Sequence, residues 1–178
     1  MTLYTIGHST RTAEAFVELL REHGIALLAD VRRYPSSRRH PHFSADALAA
    51  TLADVGIAYR HLPELGGRRA SAGEGSLNAG WRNTSFRAYA DHALTAEFQE
   101  VLDGLAVDAG ERATAIMCAE AIPWRCHRWI ISDHLGARGI EVRHVTGPGE
   151  ARLHTLNPHA RIRRDGLVVY PARQGELF

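Results

Sequence analysis

Short apolar runs alternate with amphipathic stretches along this chain, and that alternation limits its fold more than any other property. Leu3 to Ile6, Ile25 to Val31, Ile57 to Leu62, Ala113 to Met117 and Glu141 to Val145 read as strands, being short and apolar between glycine, proline or charge. Between them Phe16, Leu19 and Leu20, then Leu48, Leu52 and Val55, recur at helical spacing, and Gly24 and Gly56 stand where those helices stop. Thr10 or Thr12 is expected to cap the first helix and Ser44 the second. Ser85 opens a helix through Phe86 and Tyr89, Thr95 another through Phe98, Leu102 and Leu105, and Trp129, Ile130, Ile131 and Leu135 mark the last. Strand alternating with helix predicts an α/β fold, a single-domain three-layer sandwich with a mainly parallel, Rossmann-like sheet of about five strands. A doubly wound order such as 3-2-1-4-5 is expected, with the first and fourth strands side by side and the thinner third strand near an edge.

The 178 residues, 45% hydrophobic, suffice for one core; residues 1–171 are read as one domain and 172–178 as a flexible tail. Formal charge is only +1, so any nucleic-acid surface must be local. All 21 cations are arginine, which excludes side-chain Schiff bases and phosphate-loop lysines. The chain opens on a strand rather than a signal peptide, and no apolar run approaches ~18 residues, so a soluble cytoplasmic protein is expected. Its two cysteines are then thiols, and no cofactor or metal is expected.

The chemistry gathers where the fourth apolar run ends. Cys118, Glu120, Cys126, His127 and Arg128 follow within a dozen residues, at the carboxyl end of a strand, where open α/β sheets bind ligands. The loops after the first and second strands, with His8, Ser9, Asp30 and Arg32, are expected at the same end. Six residues separate Cys118 from Arg125 and one separates Cys126 from Arg128, so neither pair has the spacing of a phosphatase or rhodanese loop. The thiol spacing is equally foreign to zinc sites. Two readings stay open: a thiol activated by His127, Arg128 and a helix amino terminus, or two small buried hydrophobes. Glu120 is the candidate general base, and Asp30 lies in a carboxylate and arginine network.

From Arg32 to His42 the loop is rich in arginine, and Arg32, Ser37 and Arg38 are candidate phosphate ligands because guanidinium forks match phosphate oxygens. The long aperiodic stretch from Pro63 to Asn83, with Gly66 and Gly67, reads as a lid, a binding loop or a mobile segment. Trp81, Arg82 and Arg87 are read as stacking and charge for an unpaired base.

The Thr5-Ile-Gly-His-Ser9 opening, Asp30-Val-Arg32 with Pro35, Ser37, Arg38 and Phe43, the Leu65-Gly-Gly67 turn, the Cys118 to Arg128 block and Leu156-Asn-Pro together resemble the bacterial "domain of unknown function 488" family. The resemblance runs from about Thr5 to Pro171. It implies a pocket at these positions and assigns no reaction.

The last residues, with Gln174, Leu177 and Phe178, resemble the peptide by which bacterial polymerases and repair proteins dock on the DNA sliding clamp. Together these features lead to an expectation of a DNA-repair or DNA-maintenance enzyme, a hydrolase or transferase acting on nucleic acid or a nucleotide. A non-catalytic nucleic-acid-binding module and a thiol-dependent redox or sulfur-transfer enzyme are the alternatives.

Overall fold

A computed structural model describes residues 1–36, 38–70 and 73–172. In chain order the elements are β1 (Thr2–Gly7), α1 (Ala13–Glu22), β2 (Leu27–Asp30), α2 (Ala45–Asp54), β3 (Ala58–His61), α3 (Thr84–His92), α4 (Ala96–Glu111), β4 (Thr114–Cys118), α5 (Arg128–Ala137), β5 (Glu141–Val145), β6 (Arg152–Leu153), β7 (Arg161–Ile162) and β8 (Val168–Val169). Caps fix the helix starts. Thr12 accepts from the Ala15 amide and Thr95 from that of Phe98, while Asn83, ahead of the expected Ser85, accepts from the amides of Ser85 and Phe86. Ser44 precedes α2 without a side-chain cap bond.

The sheet is α/β and mostly parallel, with β1 to β5 parallel and a sixth strand, β6, antiparallel at the β5 edge. Side-chain alternation sorts the core onto two faces. Ile6, Leu28, Ala115 and Met117 meet Phe16, Leu20, Leu48 and Leu52 of α1 and α2. On the other face Leu3, Ala29, Ile116 and Cys118 meet Tyr89, Phe98, Leu102, Ile130 and Ile131 of α3, α4 and α5. This is the three-layer, Rossmann-like layout that the alternation predicts.

The strand order corrects the expectation. It is β3-β2-β4-β1-β5-β6, so β4 inserts between β2 and β1. β4 is buried at every position, as a central strand requires. Its neighbours are therefore both loops of interest: Gly7 is opposite Cys118 in register, and Asp30 is opposite Met117. β3 takes the edge beside β2 as expected.

The stretch from Pro63 to Asn83 is anchored over its second half. Ser76 and Asn78 both donate to the Asp91 carboxylate, and Asn78 accepts from the Tyr170 amide just after the β7–β8 hairpin. Asn78 is fully buried, which removes that half from the lid reading. No described helix is long and apolar enough to cross a membrane.

Candidate functional site

The loops that follow β1, β2, β3 and β4 converge at one end of the sheet and enclose a cavity of about 900 Å³. His8 and Ser9 come from the first loop, Arg32 to Tyr34 and Arg38 to His40 from the second, Gly67 and Arg68 from the third. Cys118 to Ala121, with Cys126 and His127, form the remainder. Pairing continues past the strand ends, since the amides of His8 and Val31 donate to the Cys118 and Met117 carbonyls, both at 2.9 Å. The close fit has a requirement at Gly7, where a Cβ would lie 1.9 Å from the carbonyl oxygen of Glu120. Gly66 is similarly confined against the Arg33 backbone. Two non-glycine residues of the wall, Ser9 and Arg68, hold positive φ of 51° and 60°, a strained conformation of the kind that clusters at ligand sites.

At the base of the cavity the two free thiols meet, with Cys118 Sγ 2.9 Å from Cys126 Sγ. Nδ1 of His127 is 3.4 Å from Cys126 Sγ. Arg128, fully buried, donates to the carbonyls of Glu120 and Ala121 and to Thr5 Oγ1. No carboxylate forms an ion pair with it among the described residues, and a buried cation without a counter-charge is strongly disfavoured. The two sulfurs supply that charge. Burial and the neighbouring Cys126 raise the Cys118 pKa well above the ordinary thiol value. Burial opposes ionisation of Cys126 too, yet the Cys118 hydrogen bond, His127 and Arg128 together bring its pKa well below that value. Cys126 is therefore the sulfur whose ionisation its neighbours favour.

Asp30 is fully buried beneath the wall rather than in it. Its oxygens accept from Arg32 Nε at 2.8 Å, Arg32 NH2 at 2.5 Å and the Tyr59 hydroxyl at 2.7 Å. Arg32 is thus held by a forked ion pair and by the Phe43 carbonyl, so its guanidinium positions the loop. His8 stacks on Phe43 with centroids 4.4 Å apart, and burial lowers its pKa to about 4. The imidazole is neutral at pH 7, with Nδ1–H donating to the Ser9 carbonyl at 2.9 Å.

The upper wall is cationic. Arg33, Arg38, Arg39 and Arg68 line the cavity, and none forms an ion pair with a carboxylate among the described residues. Glu120 is exposed there, and its carboxylate has no hydrogen-bond partner among them. Tyr34, 62% exposed, offers a ring face beside Arg33.

Of the residues singled out in the sequence, His8, Ser9, Arg32, Arg38, Gly67, Cys118, Glu120, Cys126 and His127 share the cavity. Asp30, Gly66 and Arg128 lie immediately behind it. Ser37, Gln174, Leu177 and Phe178 lie outside the described residues. Trp81 and Arg87 are elsewhere: Trp81 stacks on Phe86, and Arg87 donates twice to the Trp81 carbonyl, which overturns their reading as a base-stacking surface.

A hydrogen-bonded chain behind the thiols has no local sequence signal. Arg128 NH1 donates to Thr5 Oγ1, which is 2.7 Å from His144 Nδ1; His144 Nε2 is 3.0 Å from His154 Nδ1, and His154 Nε2 is 2.9 Å from Asp133 Oδ1. Burial, with charge from His154 and Arg128, lowers the His144 pKa to about 3, so that ring is neutral. The Asp133 carboxylate only accepts, so His154 donates to it through Nε2. The Tyr170 hydroxyl closes the chain on Asp133 at 2.6 Å. Arg39, Arg68 and Tyr34 were also unmarked, although the arginine-rich run and the residue after Gly67 are where a cationic wall would be sought.

Residues 12–135 match the family model described as "Domain of unknown function DUF488". The match stops short of both the Thr5–Ser9 opening and the Leu156-Asn157-Pro158 segment. Neither a curated protein nor a solved structure matches the chain.

Proposed function

The chain belongs to the DUF488 family, whose description carries no reaction, and from that premise we propose a DNA-repair or DNA-maintenance enzyme acting on nucleic acid or a nucleotide. The observation that carries this reading is one cavity lined both by four arginines that have no carboxylate partner among the described residues and by Cys126, whose neighbours favour its thiolate. Guanidinium groups in that state favour phosphate oxygens, and an exposed tyrosine ring beside them suits an unpaired base. In this reading Arg38 and Arg39, with Arg33 and Arg68, hold phosphate, and Tyr34 stacks. The Cys126 thiolate attacks the substrate and expels a leaving group. Glu120 then takes a proton from the water that releases the product and restores the thiolate. The Gln174, Leu177 and Phe178 tail brings the enzyme to the sliding clamp in the cytoplasm.

Binding of a fluorescent single-stranded oligonucleotide across a salt series tests the substrate class. Each phosphate contact contributes a slope of about −0.7 in log K against log salt, so Arg38→Ala/Arg39→Ala should bind more weakly and with a flatter slope. Unchanged affinity and slope sink the reading. Binding that persists without turnover of any damaged or modified oligonucleotide supports the non-catalytic module instead.

The 2.9 Å separation of the sulfurs favours a second reading, a thiol-dependent redox or sulfur-transfer enzyme. Two thiols this close can exchange electrons as a pair, which a single nucleophile does not require.

A further inference from the structure

We propose that Cys118 and Cys126 are a working dithiol with divided roles, Cys126 attacking and Cys118 resolving, and that its substrate is an anionic disulfide held by the arginine wall. The inference rests on the second reading above and assigns the two roles within it.

Geometry separates the sulfurs. Cys118 Sγ faces the Glu120 carbonyl at 3.7 Å, and a carbonyl only accepts, so this sulfur keeps its proton. Its other neighbours are Cys126 Sγ and Arg128, and Arg128 acts on both sulfurs. Cys126 lies beside His127, the N-cap of α5, and the amino-terminal dipole of that helix with Arg128 favours a negative charge there. Both cysteines line the cavity, and Cys126 is the more exposed of the two, 6% against 2%. Closing the pair from 2.9 Å to a bond of ~2.05 Å requires an approach of about 0.9 Å. The cavity wall supplies selectivity, because Arg33, Arg38, Arg39 and Arg68 favour carboxylate or phosphate groups on the incoming molecule.

The electron count closes. The Cys126 thiolate attacks one sulfur of the substrate disulfide, forming a mixed disulfide and expelling the other half as a thiolate. Cys118 gives its proton to that leaving thiolate and attacks Cys126 Sγ. The second half of the substrate leaves as a thiolate, which solvent protonates. The protein has lost two electrons as a Cys118–Cys126 disulfide, and the substrate has gained them as two thiols. An external dithiol returns the protein to its reduced form.

The test uses the full chain, reduced, freed of reductant and exposed to glutathione disulfide, with intact mass and thiol titration as readouts. Wild type should lose both thiols and the mass of two hydrogens while retaining no adduct. Cys118→Ser should accumulate one glutathione on Cys126, located by peptide mapping, and Cys118→Ala serves where the buried hydroxyl harms folding. Cys126→Ser should react at least about tenfold more slowly. Arg38→Ala/Arg39→Ala should slow reaction with glutathione disulfide more than with neutral hydroxyethyl disulfide. Wild type that keeps two thiols, or holds a stable adduct, overturns the dithiol itself. Cycling in wild type with the adduct forming as readily on Cys118 of Cys126→Ser overturns only the assigned roles. Oligonucleotide binding measured on the same samples keeps either result separate from the nucleic-acid reading.

Discussion

His127 Nε2 lies 3.0 Å from the carbonyl oxygen of Val31, and that contact decides what its other nitrogen does to Cys126. A carbonyl accepts only, so Nε2 carries hydrogen, and Nδ1, 3.4 Å from Cys126 Sγ, is the nitrogen that faces the thiol. The residue that follows β2 thereby orients the imidazole beside Cys126. Cys126 should accordingly be alkylated by iodoacetamide at pH 6 to 7, where an ordinary thiol of pKa ~8.5 is largely protonated. His127→Ala should move the midpoint of the rate profile upward. Identical profiles for the two proteins would remove His127 from the mechanism.

Arg128 supplies the other half of that stabilisation. Arg128→Met keeps much of the buried volume but removes the charge opposite the thiolate, and the alkylation midpoint should rise by about one unit or more. Thr5→Val should shift it less, in the same direction, by releasing one fork of the guanidinium, and Thr5→Ser should restore it. An unshifted midpoint in Arg128→Met would mean that the sulfurs carry no charge for it to balance.

Three buried histidines give stability an acid limb. Burial, with nearby positive charge from Arg32 and His40, lowers the His8 pKa to about 4 against the pull of its Ser9 hydrogen bond; burial and Arg138 lower that of His134 to about 3. His144 falls to about 3 for the reasons given above. Between the unfolded value near 6.5 and these folded values the unfolded chain binds the extra protons. Stability is therefore complete above pH 6.5 and declines as pH falls toward 4, by up to about 1.4 kcal/mol per pH unit for each imidazole and less for His8, which lines the cavity. Urea midpoints at pH 7.5, 6.5, 5.5 and 5.0 check this. A flat profile down to pH 5 would contradict it.

Gly7→Ala should be among the most damaging single-methyl changes in the molecule. Its Cβ would lie 1.9 Å from one backbone atom of the Glu120 loop and 2.6 Å from another, so no side-chain rotation relieves it. A cost of about 1–3 kcal/mol or more is expected, with displacement of the Glu120 loop. Thermal denaturation and the Cys126 alkylation rate should change together. Wild-type behaviour in both would show that the close approach yields easily.

Truncation after Arg173 tests the clamp reading of the tail. It should abolish binding to the sliding clamp and leave thermal stability and oligonucleotide binding unchanged, because short linear peptides place most of their binding energy in one or two anchors. Loss of stability on truncation, or no clamp binding by the intact chain at high micromolar concentration, would rule that reading out.

The elements were legible in the sequence because burial writes its period into the residues. The runs at Leu3 and Ala113 are strands, and Leu48 with Leu52 faces the sheet. Periodicity carries no record of which strands pair, so the expected order sets β4 outside β1, whereas the structure inserts it between β1 and β2. The thiols, Glu120 and the arginine loop could be found because reactive side chains at strand ends are conspicuous. Asp30 was legible as part of a carboxylate and arginine network, but its burial beneath Arg32 depends on Tyr59, a residue from another strand. The Thr5, His144, His154 and Asp133 chain joins positions more than a hundred residues apart, and nothing local marks it.

β1 pairs with β4 on one side and β5 on the other, and with no earlier strand. During synthesis β1 therefore waits, unmated, until Thr114 and later Glu141 have followed it. β2 and β3 can pair in the meantime, but they lie on the far side of the gap that β4 will fill. The cavity is consequently a late product of chain growth: a nascent chain can carry His8, Arg32 and Gly67 and still have no site, because the strand that brings them together has not been made.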